Sequence, residues 1–179
     1  MIINLKIVRV NSDYCDYLRK FDNKVAYNKN EKELRPFIGI LFQIETCEYF
    51  APLSSPKPKH KNMKNTLDFF KIKDGELGAV NFNNMIPVNE SNYSLVDLNK
   101  ETLTIAEFKY QKLLREQLDW LNANYKQVKN KSFKLYQLYS NGKLPENIRA
   151  RCCNFKLLEG KCIEYNKWHL SVNLQVIEI

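Results

Sequence analysis

The sequence predicts an α+β fold, a single domain over residues 1–179 in which a twisted antiparallel sheet is packed by helices. Two observations carry this. Up to residue 90 the chain holds about five or six short runs of branched and aromatic residues separated by turn-forming clusters. After residue 104 apolar positions recur instead at helical spacing, and strands followed by helices are the mark of α+β architecture. A chain of 179 residues with 44% hydrophobic residues can bury one core of ordinary size.

Taken in order, Ile2 to Val10 is rich in branched residues and reads as a strand. Asn11 or Ser12 offers an N-cap, and Tyr14, Tyr17, Leu18 and Phe21 then share one face of a short helix. Spacing alone favours core packing for Tyr14, with its hydroxyl satisfied. The mixed-charge stretch from Asp22 to Arg35 reads as an exposed loop. Phe37 to Ile44 is a nearly continuous apolar run typical of a central strand, with Gly39 marking a bulge or a close backbone approach. A turn from Glu45 leads to a return strand ending near Leu53. There Pro56 and Pro58, which cannot donate to a ladder, hand the chain to a constrained loop.

Leu67 to Ile72 and Gly78 to Phe82 flank Asp74-Gly75 as a second hairpin, and Met85 to Val88 is a short edge segment. Thr104 and Glu107 fit a capping box, opening the longest helix, which carries Ile105, Phe108, Leu114, Leu118, Leu121, Tyr125 and Val128. Ser132 to Ser140 reads as another helix. Asn154 caps a last helix interrupted by Gly160, and the alternating tail from Leu170 to Ile179 adds a strand.

Composition narrows the function. The net charge of +8 and a pI near 9.2 favour a polyanionic partner such as nucleic acid or an anionic membrane. Five scattered cysteines with no C-x-x-C pair point to a reducing, cytoplasmic setting. With only His60 and His169 as histidines and no clustered acids, neither a zinc nor a magnesium site is expected, and no cofactor. No Gly-rich phosphate loop or G-x-S-x-G occurs, and no apolar run reaches the roughly 18 residues of a membrane helix.

The chemistry concentrates in Tyr49-Phe50-Ala51-Pro52-Leu53-Ser54-Ser55-Pro56-Lys57-Pro58-Lys59-His60-Lys61, where no carboxylate occurs between Glu48 and Asp68. RNA cleavage without a metal requires deprotonating a 2′-hydroxyl, stabilising the phosphorane-like charge and protonating the departing 5′-oxygen. Lys57 suits the charge, Ser54 and Ser55 suit hydrogen bonds to phosphate or the 2′-oxygen, and His60 titrates near neutrality. A solvated basic turn explains the same residues. Lys59, Lys61 and Lys64 extend the cationic stretch. A second basic region, Lys126, Lys129, Lys131, Lys134, Lys143, Arg149 and Arg151, is interleaved with Phe133, Tyr136 and Tyr139, either as a track for single-stranded RNA or as a solvated helix face.

Five segments in order resemble the ToxN/AbiQ endoribonuclease toxins of type III toxin-antitoxin and phage abortive-infection systems, over roughly residues 5 to 165. They are Phe21-Asp22-Asn23-Lys24-Val25, Arg35-Pro36-Phe37-Ile38-Gly39-Ile40, Tyr49 to Lys57, Asn81-Phe82-Asn83-Asn84-Met85-Ile86-Pro87-Val88, and Tyr110-Gln111-Lys112-Leu113-Leu114 with Gln117. The resemblance implies a MazF/Kid-like core and metal-independent cleavage leaving a 2′,3′-cyclic phosphate and a 5′-hydroxyl. It also implies inhibition by a repeated antitoxin RNA in closed protein-RNA assemblies, with cellular or phage RNA as substrate and no membrane partner. The family's hydroxyl-Ser-Pro-Lys motif falls on Ser54, Ser55 and Lys57, with serine where threonine is frequent. Local context adds Tyr14 and His60 as further candidates for proton transfer, and Lys24 and Arg35 as RNA-binding residues. A non-catalytic basic RNA-binding module is the alternative reading.

Overall fold

The protein is described by a computed structural model covering residues 4–26, 35–101 and 104–177, with side chains as far as Lys167. Its organising element is β4 (Cys47–Ser54), eight residues long and buried over most of its length. One edge of β4 pairs antiparallel with β2 (Phe37–Gly39) and β3 (Gln43–Ile44); the other pairs with β7 (Ile86–Val88) and β6 (Ala79–Asn81). The sheet path continues outward through β5 (Phe69–Lys71) beyond β6, and through β1 (Lys6–Val10) and β8 (Tyr93–Leu95) beyond β2.

A proline in so central a strand is explained by the register. Leu53 donates its N–H to Pro36 O at 2.9 Å on the β2 side, so the nitrogen of Pro52 faces the opposite edge. On that edge β7 ends opposite Phe50 and β6 begins opposite Leu53, so the missing donor falls in the gap between two partners.

The helices are α1 (Ser12–Arg19), α2 (Pro58–Asn62), α3 (Ile105–Ala123), α4 (Tyr125–Ser140), α5 (Glu146–Arg149) and α6 (Phe155–Ile177). α6 packs over β7 and β4 and meets α1 and α4, while α3 lies against β1 and α4. A polar knot holds three elements together inside this packing: Tyr49 of β4 and Tyr136 of α4 both donate to Glu159 Oε1 of α6, at 2.8 and 2.7 Å. Lys156 closes it, donating to Tyr136 Oη at 2.6 Å and Glu159 Oε2 at 3.1 Å. All five cysteines are free and buried, Cys15 and Cys152 with thiols pushed up to about 12 by burial.

Many expectations hold. The capping box is present, with Thr104 and Glu107 bonding reciprocally. Asn154 Oδ1 accepts from Leu157 N at 3.3 Å at the start of α6. Gly39 marks a close approach, since a Cβ there would lie 2.1 Å from the Phe50 ring. The hairpin around Asp74-Gly75 forms, its turn tightened into a 3₁₀ segment. β7 is the short edge segment expected, with β4 as its one strand partner among the described residues, although all three of its residues are buried.

Other expectations are corrected. The apolar run from Phe37 to Ile44 is two short strands, because the chain leaves the ladder at Ile40 and rejoins β4 further along. The break expected between Val128 and Ser132 falls instead at Asn124, whose amide donates to Trp120 O at 2.8 Å and ends α3. The proline-rich stretch forms α2, with Pro58 at its first position, where a missing N–H costs nothing. Asp22, Val25 and Ala26 are buried, so the segment after α1 begins inside the protein. α6 passes through Gly160 and runs to Ile177, so the described part of the tail from Leu170 is helix where a strand was expected. Extending an existing helix costs far less than starting a new element, and Leu170, Leu174 and Ile177 also suit helical spacing.

Candidate active site

Ser54 ends β4, and three contacts hold it there. Its hydroxyl oxygen accepts from Asn81 Nδ2 of β6 at 2.7 Å. Its carbonyl lies 3.5 Å from Gln117 Nε2, which donates more strongly to Leu77 O at 2.6 Å. Gly78, at φ +101°, presses its backbone so close that a Cβ there would sit 2.0 Å from Ser54 O. Gln117 is 1% exposed, so an α3 side chain buried in the core fixes both the strand end and the turn beside it. Ser55 and Lys57 follow on an exposed stretch, and Lys57 is the N-cap of α2.

The β2–β4 register brings a further candidate to this place. Phe37 is opposite Pro52 and Ile38 opposite Ala51, so continuing the ladder puts the backbone of Arg35 across from Ser54. Arg35 is half-buried, and burial together with the neighbouring Arg19 pushes its pKa down. Ser54, Ser55 and Lys57 therefore lie at one strand end with the backbone of Arg35 alongside, and Asn81 on the opposite side of Ser54.

His60 and Tyr14, named above as proton-transfer candidates, are both buried. His60 is 3% exposed, its ring centroid lies 5.7 Å from that of Phe69, and its Nδ1 has no hydrogen-bond partner among the described residues. A Cβ on Gly75 would come within 2.9 Å of the His60 backbone, so α2 is pinned down through this residue. Tyr14 is wholly buried, donates to Pro87 O at 2.7 Å, and packs edge-on against Tyr165. Pro87 pairs with Tyr49, five residues before Ser54, or about 17 Å along an extended strand. The core role expected for Tyr14 from its spacing is the one observed.

Burial lowers the His60 pKa, and the cations Lys57 and Lys59 lower it further. The folded state therefore holds His60 neutral while the unfolded chain protonates near 6.5. Its contribution to stability is complete above that pH and is lost as pH falls from there through the folded value. Chemical denaturation of wild type between pH 7.5 and 5 is expected to show stability falling with pH, and His60→Phe is expected to flatten that slope.

Lys59, Lys61 and Lys64 are exposed around α2 and the connection that follows. Lys131 of α4 joins them: its ammonium is 3.5 Å from Thr66 O and 5.0 Å from the Phe70 ring centroid, and burial lowers its pKa. Lys134 is exposed one turn further on. Among the described residues none of these lysines forms an ion pair with a carboxylate.

Three other candidates are engaged within the protein. Arg151 makes a bidentate pair with Asp68, whose carboxyl is held below its usual range by that pair and by Thr66. Arg149 donates to Tyr139 O at 3.0 Å and stacks over the Tyr139 ring. Lys24 lies 3.6 Å from Asp22, whose other carboxylate oxygen accepts from Asn154 N. The 3₁₀ turn Phe82–Asn84, directly after Asn81, ties both sides together: Asn84 donates to Lys24 O and Asn83 to Arg151 O.

Sequence reasoning did not single out Asn81 or Gln117 as site residues, although both lie in segments noted for their resemblance; their amides reach Ser54 only through the fold. Among the described residues no group of His, Cys, Asp and Glu could hold a metal ion, and no helix is long and apolar enough to cross a membrane.

Residues 6–162 match the family described as toxin ToxN of type III toxin-antitoxin systems. The chain belongs to the ToxN family. It is 35% identical to the endoribonuclease ToxN of Pectobacterium atrosepticum over 91% of this chain and 95% of that protein. Its fold matches a solved type III toxin, described as selectively inhibited by a non-coding RNA pseudoknot, with a TM-score of 0.76, 32% identity, and coverage of 92% of this chain and 99% of that one. A structure of AbiQ, described as a lactococcal anti-phage endoribonuclease of the type III class, matches with a TM-score of 0.77 at 30% identity, over 92% of this chain and 99% of AbiQ. The ToxN match thus encloses β4, its Ser54 end and the basic surface around α2 and α4.

Proposed function

We propose that this ToxN-family chain is, over residues 1–179, a single endoribonuclease toxin domain of a type III toxin-antitoxin system, acting in the cytoplasm on cellular or phage RNA. The observation that carries the reading is the placing of Ser54, Ser55 and Lys57 at one end of β4, with the backbone of Arg35 alongside, in a chain of this family. Cleavage proceeds by attack of a 2′-hydroxyl on the adjacent phosphate, leaving a 2′,3′-cyclic phosphate and a 5′-hydroxyl. Lys57 and Arg35 offset the charge that grows on the non-bridging oxygens, and Ser54 and Ser55 donate to phosphate or to the 2′-oxygen. The half-buried position of Arg35 strengthens its pull on a phosphate, since water screens it less than an exposed cation.

Lys59, Lys61, Lys64, Lys131 and Lys134 provide the track for the RNA backbone on either side of the cut. Lys131, half-buried over the Phe70 ring with no carboxylate partner among the described residues, is the most committed of these. An antitoxin RNA of repeated units that covers the same surface blocks the site.

The purified protein incubated in EDTA with a random-sequence single-stranded RNA pool is expected to yield fragments ending in cyclic phosphate and beginning with 5′-hydroxyl. Salt-dependent RNA binding with no products would establish the binding-module reading instead.

A further inference from the structure

We propose that Asn81 is a positioning residue for the reaction, orienting the Ser54 hydroxyl so that its proton is presented to the RNA. The proposal rests on the endoribonuclease reading and adds a residue to it. Asn81 Nδ2 is 2.7 Å from Ser54 Oγ and 3.5 Å from Pro52 O. A backbone carbonyl can only accept, so the nearby amide group is the nitrogen end, and Asn81 is the donor to both. A serine oxygen that accepts from Asn81 on one side keeps its own O–H for another partner. Ser54 is half-buried at the strand end, so that proton turns outward, toward the edge where Ser55 and Lys57 lie.

The surroundings remove the alternatives. Asn81 closes β6, which is paired to β5 through Phe69 and to β4 through Leu53 and Ser54. The Ser54 carbonyl is occupied by the approach of Gln117 and Gly78. The backbone at this point is therefore held from two sides, and the one remaining freedom at Ser54 is rotation of its hydroxyl. An amide donor removes that freedom before substrate arrives, which is how a fixed dipole lowers a barrier without reorganising during the reaction.

Replacing Asn81 by Asp reverses the hydrogen bond. A carboxylate accepts only, so the Ser54 proton is drawn inward and lost to the substrate; once protonated, the same carboxyl can donate as the amide does. This gives a signature that a merely structural role does not produce. The RNA sequence cut fastest from the random pool by wild type serves as substrate, and its non-cleavable form with a 2′-deoxy nucleotide at the scission point as binding probe.

Asn81→Ala is expected to lower kcat by about 30- to 100-fold, with KM and the affinity for the 2′-deoxy probe within about twofold and the thermal midpoint little changed. Asn81→Asp is expected to be as slow at pH 8 and to recover relative to wild type as pH falls toward 5. In a Ser54→Ala background, Asn81→Ala should cost nothing further. Wild-type rates in Asn81→Ala, a loss of equal size with Ser54 already removed, or an Asn81→Asp defect independent of pH would each overturn the assignment. A wild type that binds the pool but never cuts it would overturn the endoribonuclease reading, and this proposal with it.

Discussion

Lys57→Ala is expected to slow RNA cleavage by about 10²- to 10³-fold, the size of losing one preorganised group that meets developing charge. Lys57 is exposed, forms no ion pair among the described residues, and contributes to the fold through its backbone, whose carbonyl accepts from His60 N at 2.9 Å. Its side chain can thus be removed with little strain on α2, and the thermal midpoint should stay within about 2 °C of wild type. Lys57→Arg tests the geometry, because a planar guanidinium keeps the charge but not the compact ammonium. Initial rates with the fragment ends analysed, alongside thermal melts, check both statements. Unchanged cleavage in Lys57→Ala would remove this residue from the mechanism and leave Arg35 as the cation opposite Ser54.

Gly78→Ala is expected to damage both stability and activity. At φ +101° a side chain is strained, and its Cβ would meet a backbone oxygen, Ser54 O at 2.0 Å, with the Ser55 carbonyl carbon at 3.0 Å. No rotamer change relieves a clash with backbone, so either the turn or the end of β4 must move. The expected loss is about 3 kcal/mol, or roughly 6–12 °C in thermal midpoint for a chain of this size. Because the displaced atoms belong to Ser54 and Ser55, cleavage below the melting range should fall by at least about tenfold. Gly142, also at positive φ but with open space around its Cβ, is the control: alanine there carries the backbone strain without moving the site.

The two variants separate what kinds of information the chain holds. Lys57 is legible because it shares a short run of sequence with Ser54 and Ser55, in a stretch free of carboxylates and bounded by prolines. Chain connectivity keeps such residues close whatever the fold. The capping box at Thr104, the Asn154 cap and the close approach at Gly39 are legible for similar reasons, since each reflects backbone geometry over a few residues.

The surroundings of His60 are not legible in this way. An imidazole in a basic stretch suits proton transfer by residue type, yet α2 turns this one inward against Phe69, because a five-residue helix must bury a face to hold its place. Arg151 and Arg149 lie in a basic run that suits RNA, but Asp68 and Tyr139, distant in sequence, engage them.

By itself, the sequence determined an α+β toxin-like chain, its basic character and the Ser54-Ser55-Lys57 edge, because those depend on composition and on neighbours along the chain. Only the tertiary structure decided that the Arg35 backbone lies across from Ser54, that Asn81 and Gln117 approach the Ser54 hydroxyl and carbonyl, and that His60 is buried. Register and packing bring together residues far apart in the chain, and neither is written in the spacing of residues along a single strand or helix.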